Sequence, residues 1–175
     1  MTVVIESIQM ELLEGYNHVG RSVSGERKYF SNFEGATLDQ ASQYVSKNIA
    51  THHLQFVALD DGAVVGFCEL DPSPHPVHAH TASMDMALLP EARGKGIGKR
   101  LLTTAIGAAR CQGLRRIGLS VFSDNLRAIR LYKSCGFEHE GILRNHCKID
   151  GREFDMLMMG LLLKSPEIEV GERQA

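Results

Sequence analysis

The sequence predicts an α/β protein built on one mixed sheet, an α+β arrangement with helices on its faces, and three observations carry that prediction. Two apolar runs, Leu54 to Leu59 and Ala63 to Leu70, flank Asp60-Asp61-Gly62 and form a β-hairpin pattern. A strand-like run, His80 to Leu89, passes through a glycine-rich turn into an amphipathic helical run that ends at Cys111. Two further apolar runs, Phe137 to Leu143 and Phe154 to Leu163, stand on either side of Asp150-Gly151 and close the sheet. Hairpins first and a β-α-β-α-β order afterwards mix antiparallel and parallel pairing.

The remaining elements follow in order. Val3 to Ile8 is a short first strand, and Met10, Leu13, Tyr16 and Val19 recur near the helical period over Met10 to Val23. Glu26 to Gly35 is a loop. Thr37 is a favourable N-cap for a helix from Leu38 to Ile49. Asp71-Pro72-Ser73-Pro74-His75-Pro76 breaks the chain before the strand His80 to Leu89. Ile117 to Phe122 is a buried-type strand, and Leu126 to Cys135 a short helix.

Composition bounds the function. With 175 residues and 43% hydrophobic content, residues 1–165 suffice for a single domain, followed by a flexible tail over 166–175. A formal net charge of −2 excludes a general electrostatic grip on nucleic acid. The longest apolar stretch, Met156 to Leu163, is too short to span a membrane, and the N-terminus lacks the basic and long apolar regions of a signal peptide. Cys68, Cys111, Cys135 and Cys147 form no C-x-x-C pair, so free thiols in a reducing cytoplasm are expected.

The turn Arg93-Gly94-Lys95-Gly96-Ile97-Gly98-Lys99 is the densest signal in the chain. Its glycines remove side chains from the point where a helix begins and where backbone N–H groups lack partners. The helix dipole and the charges of Arg93, Lys95, Lys99 and Arg100 add positive potential. Such a turn is a cradle for a pyrophosphate. A Walker A loop is excluded because Arg100 follows Gly98-Lys99. The dinucleotide fingerprint is excluded because Gly94, Gly96 and Gly98 read G-x-G-x-G, and the strand Arg116 to Phe122 offers no acid for a ribose.

The spacing Arg93-x-x-Gly96-x-Gly98, after a strand ending Leu88-Leu89-Pro90, resembles the acetyl-CoA-binding motif of the GCN5-related N-acetyltransferase (GNAT) superfamily. Asn125-Leu126-Arg127-Ala128-Ile129-Arg130-Leu131-Tyr132, followed by Cys135-Gly136-Phe137, resembles the same family's second block. The resemblance covers roughly residues 54 to 163. It implies a central mixed sheet with a splayed parallel strand pair, and acetyl-CoA as cosubstrate lying in the splay. The pantetheine arm would pair with the backbone of Met86, Ala87 and Leu88. The cradle from Arg93 through Gly94, Lys95, Gly96, Ile97 and Gly98 to Lys99 would hold the pyrophosphate, with Asn125 and Tyr132 near the cofactor.

Tyr132 falls seven residues after Asn125, where the family carries its general acid, and would protonate departing CoA thiolate. Asn125 serves equally as a plain N-cap. Some members place a glutamate base on the strand before the cradle. Here that strand offers Ser83 and Asp85, so Asp85 is the candidate base beside a water chain to solvent. The oxyanion would meet the N–H of Met86 or Leu88. A ping-pong route would need Cys68, Cys111 or Cys135, none with a histidine nearby in sequence.

His75, His78 and His80 lack the tight pairing of a zinc site, so no metal is expected. Arg27, Lys28 and Tyr29 fall where the family binds its acceptor, and the cations there hint at a substrate carboxylate. Gly141-x-x-Arg144, Asp150-Gly151 and Asp155-x-x-x-Met159 resemble the branch with amino-acid, herbicide and ribosomal-protein acetyltransferases. The expected function is direct transfer of acetyl from acetyl-CoA to the primary amine of a small molecule, an amino acid or a peptide N-terminus. No nucleic acid or membrane partner is expected, and the family resemblance implies a homodimer. The alternative is a CoA-binding regulatory module without catalysis.

Overall fold

Thr37 starts the second helix through a reciprocal capping box. Its Oγ1 accepts from the Gln40 N–H at 3.2 Å, and the Gln40 side chain accepts from the Thr37 N–H at 2.9 Å. A computed structural model of the chain describes residues 2–29 and 34–164. Its elements are β1 (Val3–Ser7), α1 (Leu13–Gly25), α2 (Leu38–Ala50), β2 (Leu54–Asp60), β3 (Ala63–Pro72), β4 (Thr81–Leu88), α3 (Ile97–Cys111), β5 (Arg116–Phe122), α4 (Leu126–Ser134), β6 (Glu138–Ile149) and β7 (Arg152–Leu162). The seven strands form one sheet in the order β1-β2-β3-β4-β5-β7-β6. Every neighbouring pair is antiparallel except β4 and β5. The mixed sheet flanked by helices is the architecture the sequence predicts. The expected tail over 166–175 and the loop residues 30–33 lie outside the described residues.

Alternation along β3 assigns the two faces. Phe67 and Glu69 point toward α1, where Tyr16 meets both: its ring lies 4.8 Å from that of Phe67, and its hydroxyl reaches Glu69. Gly66 and Cys68 point the other way, toward α3 and α4. A bulge between Ala58 and Leu59 in the β2–β3 pairing turns Val64 back toward α1. Gly66 pairs with Leu88 across the ladder, and a Cβ there would lie 2.8 Å from the Ala87 carbonyl oxygen and from Leu88 Cδ2. Gly66→Ala is therefore expected to push β4 outward and cost about 1–3 kcal/mol. A thermal melt should show a midpoint several degrees lower.

Two boundaries differ from expectation. The closing strands run further than Leu143 and Phe154 suggest, because β6 continues to Ile149 and meets Arg152 in a tight turn. Polar residues 144–148 hide this extension, and the ladder resumes only after an irregularity between Leu143 and Cys147. Asn145 adopts φ +49° within it, and its N–H donates to Asp155 Oδ1 at 2.8 Å. At the other end, Met10–Leu12 forms a 3-10 turn before α1 begins.

Candidate active site

β4 and β5 share only three ladder positions: Thr81 with Arg116, Ala82 with Ile117, and Ser83 with Gly118. Beyond Ser83 the strands part, β4 staying with β3 and β5 with β7. The gap opens on a cavity of about 800 Å³ that reaches both sides of the sheet. Glu69 and Asp85 line it from the α1 side, while Leu131 and Tyr132 line it from α4.

The glycine turn takes the form the sequence predicts. Gly94 and Gly96 both adopt φ +79°, a left-handed conformation costly for any residue with a Cβ. Gly96 is the N-cap of α3, and no side chain caps the N–H groups of that first turn. Lys95 and Lys99 are exposed beside it, whereas Ile97 is buried in the core. Gly98 admits close packing under the turn, since a Cβ would stand 3.0 Å from Leu88 Cδ1 and 3.2 Å from Leu131 Cδ2.

Arg93 behaves differently from a simple anion ligand. Its Nε donates to the Leu88 carbonyl at 3.0 Å, and its guanidinium makes a two-pronged pair with Glu26, just past α1. The pair holds Glu26 below the usual carboxylate range. Arg93 thus ties the end of β4 to the end of α1. Met86, Ala87 and Leu88 line the cavity along the open edge of β4. Asn125 lines it too, and its Oδ1 accepts from the Ala128 N–H at 3.2 Å as the N-cap of α4.

Tyr132 is 8% exposed and packs on Phe137, with ring centroids 5.9 Å apart. Burial, then the neighbouring Cys68 and Asp85, push its phenol above the usual tyrosine range, so it holds its proton throughout ordinary conditions.

Sequence reasoning missed Glu69. It lies directly across the ladder from Asp85, and its Oε2 accepts from the Tyr16 hydroxyl at 3.0 Å and from Gln55 Nε2 at 2.9 Å. The buried Gln55 is held in turn by Asn48, whose Nδ2 donates to Gln55 Oε1 at 3.1 Å. Carboxylate oxygens of Glu69, Asp71 and Asp85 lie within 4.8 Å of one another. Burial, together with the charges of Asp71 and Asp85, pushes Glu69 up to about 8 against the opposing hydrogen bonds. The walls around Asp85, then the charge of Asp71, raise that carboxyl as well. The available signal was an acid inside the otherwise apolar run Val64 to Leu70.

Several other candidates fall outside the cavity. His75, His78 and His80 are exposed and do not line it. Arg27 pairs with Asp150 in the β6–β7 turn, and Lys28 lies 5.6 Å from the Tyr29 ring centroid. Of this trio only Tyr29 lines the cavity. Burial raises the Cys68 thiol, which makes it a poor nucleophile; Cys111 and Cys135 do not reach the cavity.

Residues 23–137 match the model of the acetyltransferase (GNAT) family. The chain is 27% identical over 154 residues to the uncharacterized N-acetyltransferase YycN of Bacillus subtilis, covering 82% of this chain and 97% of that one. It is 32% identical over 108 residues to the L-amino acid N-acetyltransferase AaaT of Escherichia coli, covering 60% of this chain and 65% of that one. The ribosomal-protein-alanine N-acetyltransferase structure from Brucella melitensis superposes with a TM-score of 0.87 at 25% identity, covering 91% of this chain and 99% of that chain. The chain belongs to the GNAT acetyltransferase family, and its class is that of acetyl-CoA-dependent N-acetyltransferases. No helix among the described residues is long and apolar enough to cross a membrane.

Proposed function

We propose that this enzyme moves the acetyl group of acetyl-CoA directly to the primary amine of a small molecule or a peptide N-terminus. The observation that carries the reading is the opening between β4 and β5, with Tyr132 on one side of the sheet and the Glu69–Asp85 pair on the other. A phosphinothricin acetyltransferase from Sinorhizobium meliloti, solved with acetyl-CoA, shares the fold at a TM-score of 0.88 and 24% identity, over 93% of this chain and 89% of that one. By that analogy the pyrophosphate lies on the Gly94–Lys99 turn and the pantetheine arm along Met86, Ala87 and Leu88. Asn125 shapes the wall beside it.

Glu69, rather than Asp85, takes the proton from the incoming ammonium. Its carboxylate is the one fixed by two hydrogen bonds, and its affinity for a proton is matched to neutral pH. Asp85 stands beside it as a second negative charge that holds the ammonium. The free amine attacks the thioester carbonyl, and a β4 backbone N–H at Met86 or Leu88 meets the oxyanion. As the C–S bond breaks, Tyr132 delivers its proton to the departing thiolate. A base poised in this way weighs against a CoA-binding module without catalysis. The exposed Ile142 and Leu143 on the edge strand β6 offer a surface for the homodimer expected from the family, and four free thiols fit a cytoplasmic setting.

The test is thiol release from acetyl-CoA against a panel of amines, peptides and polyamines, with acetyl-CoA binding followed separately. A chain that binds acetyl-CoA and acetylates no amine would favour the regulatory module. The pH profile supplies a further expectation. Glu69 must be ionised, so kcat/KM should rise with pH and level off above about 8. Tyr132 is raised above the ordinary tyrosine value, so loss of the acid should cause no matching fall through mildly alkaline pH. Asp71 raises Glu69 through its charge, so Asp71→Asn should move the rising limb to lower pH. An unmoved limb would detach it from Glu69.

A further inference from the structure

The charges and rings around the acceptor half of the cavity narrow the choice of amine. Glu69 and Asp85 are the acids at its reacting end. A carboxylate on the carbon next to the amine would be carried against both of them, and like charges in a partly dry site repel strongly. Two of the cations that could compensate are engaged elsewhere. Arg27 is paired with Asp150 and does not line the cavity, and Arg93 is held by Glu26 and the Leu88 carbonyl. Arg127 lines the cavity from the first turn of α4, two residues after Asn125, on the wall given above to acetyl-CoA. Among the described residues, His146 is the remaining basic side chain on the lining. Residues 30–33 are Phe, Ser, Asn and Phe, so the sequence supplies no cation there.

The far wall is apolar and aromatic. Phe122 and Met156 are cross-strand partners on β5 and β7, and both line the cavity with Tyr29 and Cys147. The Tyr29 and Phe122 rings stand 5.8 Å apart, and Phe154 closes on Phe122 edge-on at 5.7 Å. Ser24 adds a neutral polar group: it is 1% exposed, lines the cavity, and its Oγ has no hydrogen-bond partner.

We propose that the acceptor is an amine with an aromatic or branched apolar body and no free carboxylate beside the nitrogen. The inference rests on the acetyltransferase reading above. It turns aside the substrate carboxylate that Arg27 and Lys28 hinted at in the sequence.

Matched acceptors test it. Thiol release from acetyl-CoA is compared for phenylalanine, phenylalaninamide and phenethylamine, for the corresponding leucine series, and for ethanolamine. The amide and the amine should exceed the acid in kcat/KM by about tenfold or more, and the aromatic series should exceed ethanolamine. Phenethylamine is more basic than phenylalanine, so its advantage cannot come from a larger free-amine fraction. Because the amide is a much weaker base than phenethylamine, each kcat/KM is referred to the free-amine fraction; on that scale a higher value for phenylalaninamide identifies the peptide N-terminus as the source of the acceptor, and the reverse order a free arylalkylamine. Phe122→Leu, which keeps the core filled, should lower kcat/KM for the aromatic amines by about three- to tenfold while leaving the KM of acetyl-CoA unchanged. Equal or faster turnover of the acids, or of ethanolamine, overturns the proposal. No turnover across the whole set also overturns it. If acetyl-CoA still binds by calorimetry, the cosubstrate assignment survives that result; if it does not, the acetyltransferase reading falls first.

Discussion

Glu69→Gln is expected to lower kcat/KM by about 10²–10³-fold and to abolish the rising limb near neutral pH. The amide keeps an oxygen for the Tyr16 and Gln55 hydrogen bonds, so the local fold should persist and the KM of acetyl-CoA should change little. What disappears is the capacity to accept a proton. Stability should move the other way. A carboxyl raised from 4.5 to about 8 on folding destabilises the native state once pH exceeds the unfolded value, and the full penalty is present above the folded one. At pH 9 the variant should therefore melt above the parent, while below pH 4 that advantage should vanish. A variant that keeps both the limb and the rate would remove Glu69 from the reaction.

Tyr132→Phe is the second large effect. Loss of the hydroxyl is expected to reduce kcat by about 10²-fold, because the thiolate must then leave without a proton donor. The ring packing on Phe137 is preserved, so a loss of fold would not account for the result. The decrease should fall on kcat and kcat/KM together, the pattern of an interaction made in the transition state. Pre-steady-state measurement of thiol release would separate it from slow product release. An unaltered single-turnover rate would mean that another group, or water, protonates CoA.

Much of this arrangement is legible in local sequence because it depends on local rules. Thr37 and Gln40 announce a helix start, Asp60-Asp61-Gly62 a hairpin, and Gly94 and Gly96 a backbone that must turn left-handed. Tyr132, which lines the cavity, stands out in the sequence only through the family resemblance at its spacing from Asn125. Glu69 is not legible in this way, because its place at the cavity arises from register: only the β3–β4 ladder sets it opposite Asp85, and only α1 brings Tyr16 to its oxygen. The same holds for Arg93. A basic residue at the head of a glycine turn reads as an anion ligand until Glu26, far away in sequence, claims its guanidinium. Arg27 is likewise diverted by Asp150 across a long chain separation.

The three-residue contact between β4 and β5 has a consequence for the mechanics of the sheet. From Met84 to Leu88 one strand has a covered side against β3 and a bare one, and from Leu119 to Phe122 the other is bare on the side opposite β7. The sheet is, in effect, two half-sheets stitched at one end, and on the function proposed above the cosubstrate supplies the missing rung. Bound acetyl-CoA should act as a brace, slowing amide hydrogen exchange along the free edge of β4 more than in β1 or β2. It should also raise the melting temperature with ligand concentration, by the logarithmic law of any ligand that prefers the folded chain. The halves would then be stiffest when the acetyl group is in place and loosest after CoA departs, so the catalytic cycle would carry its own rhythm of tightening and release.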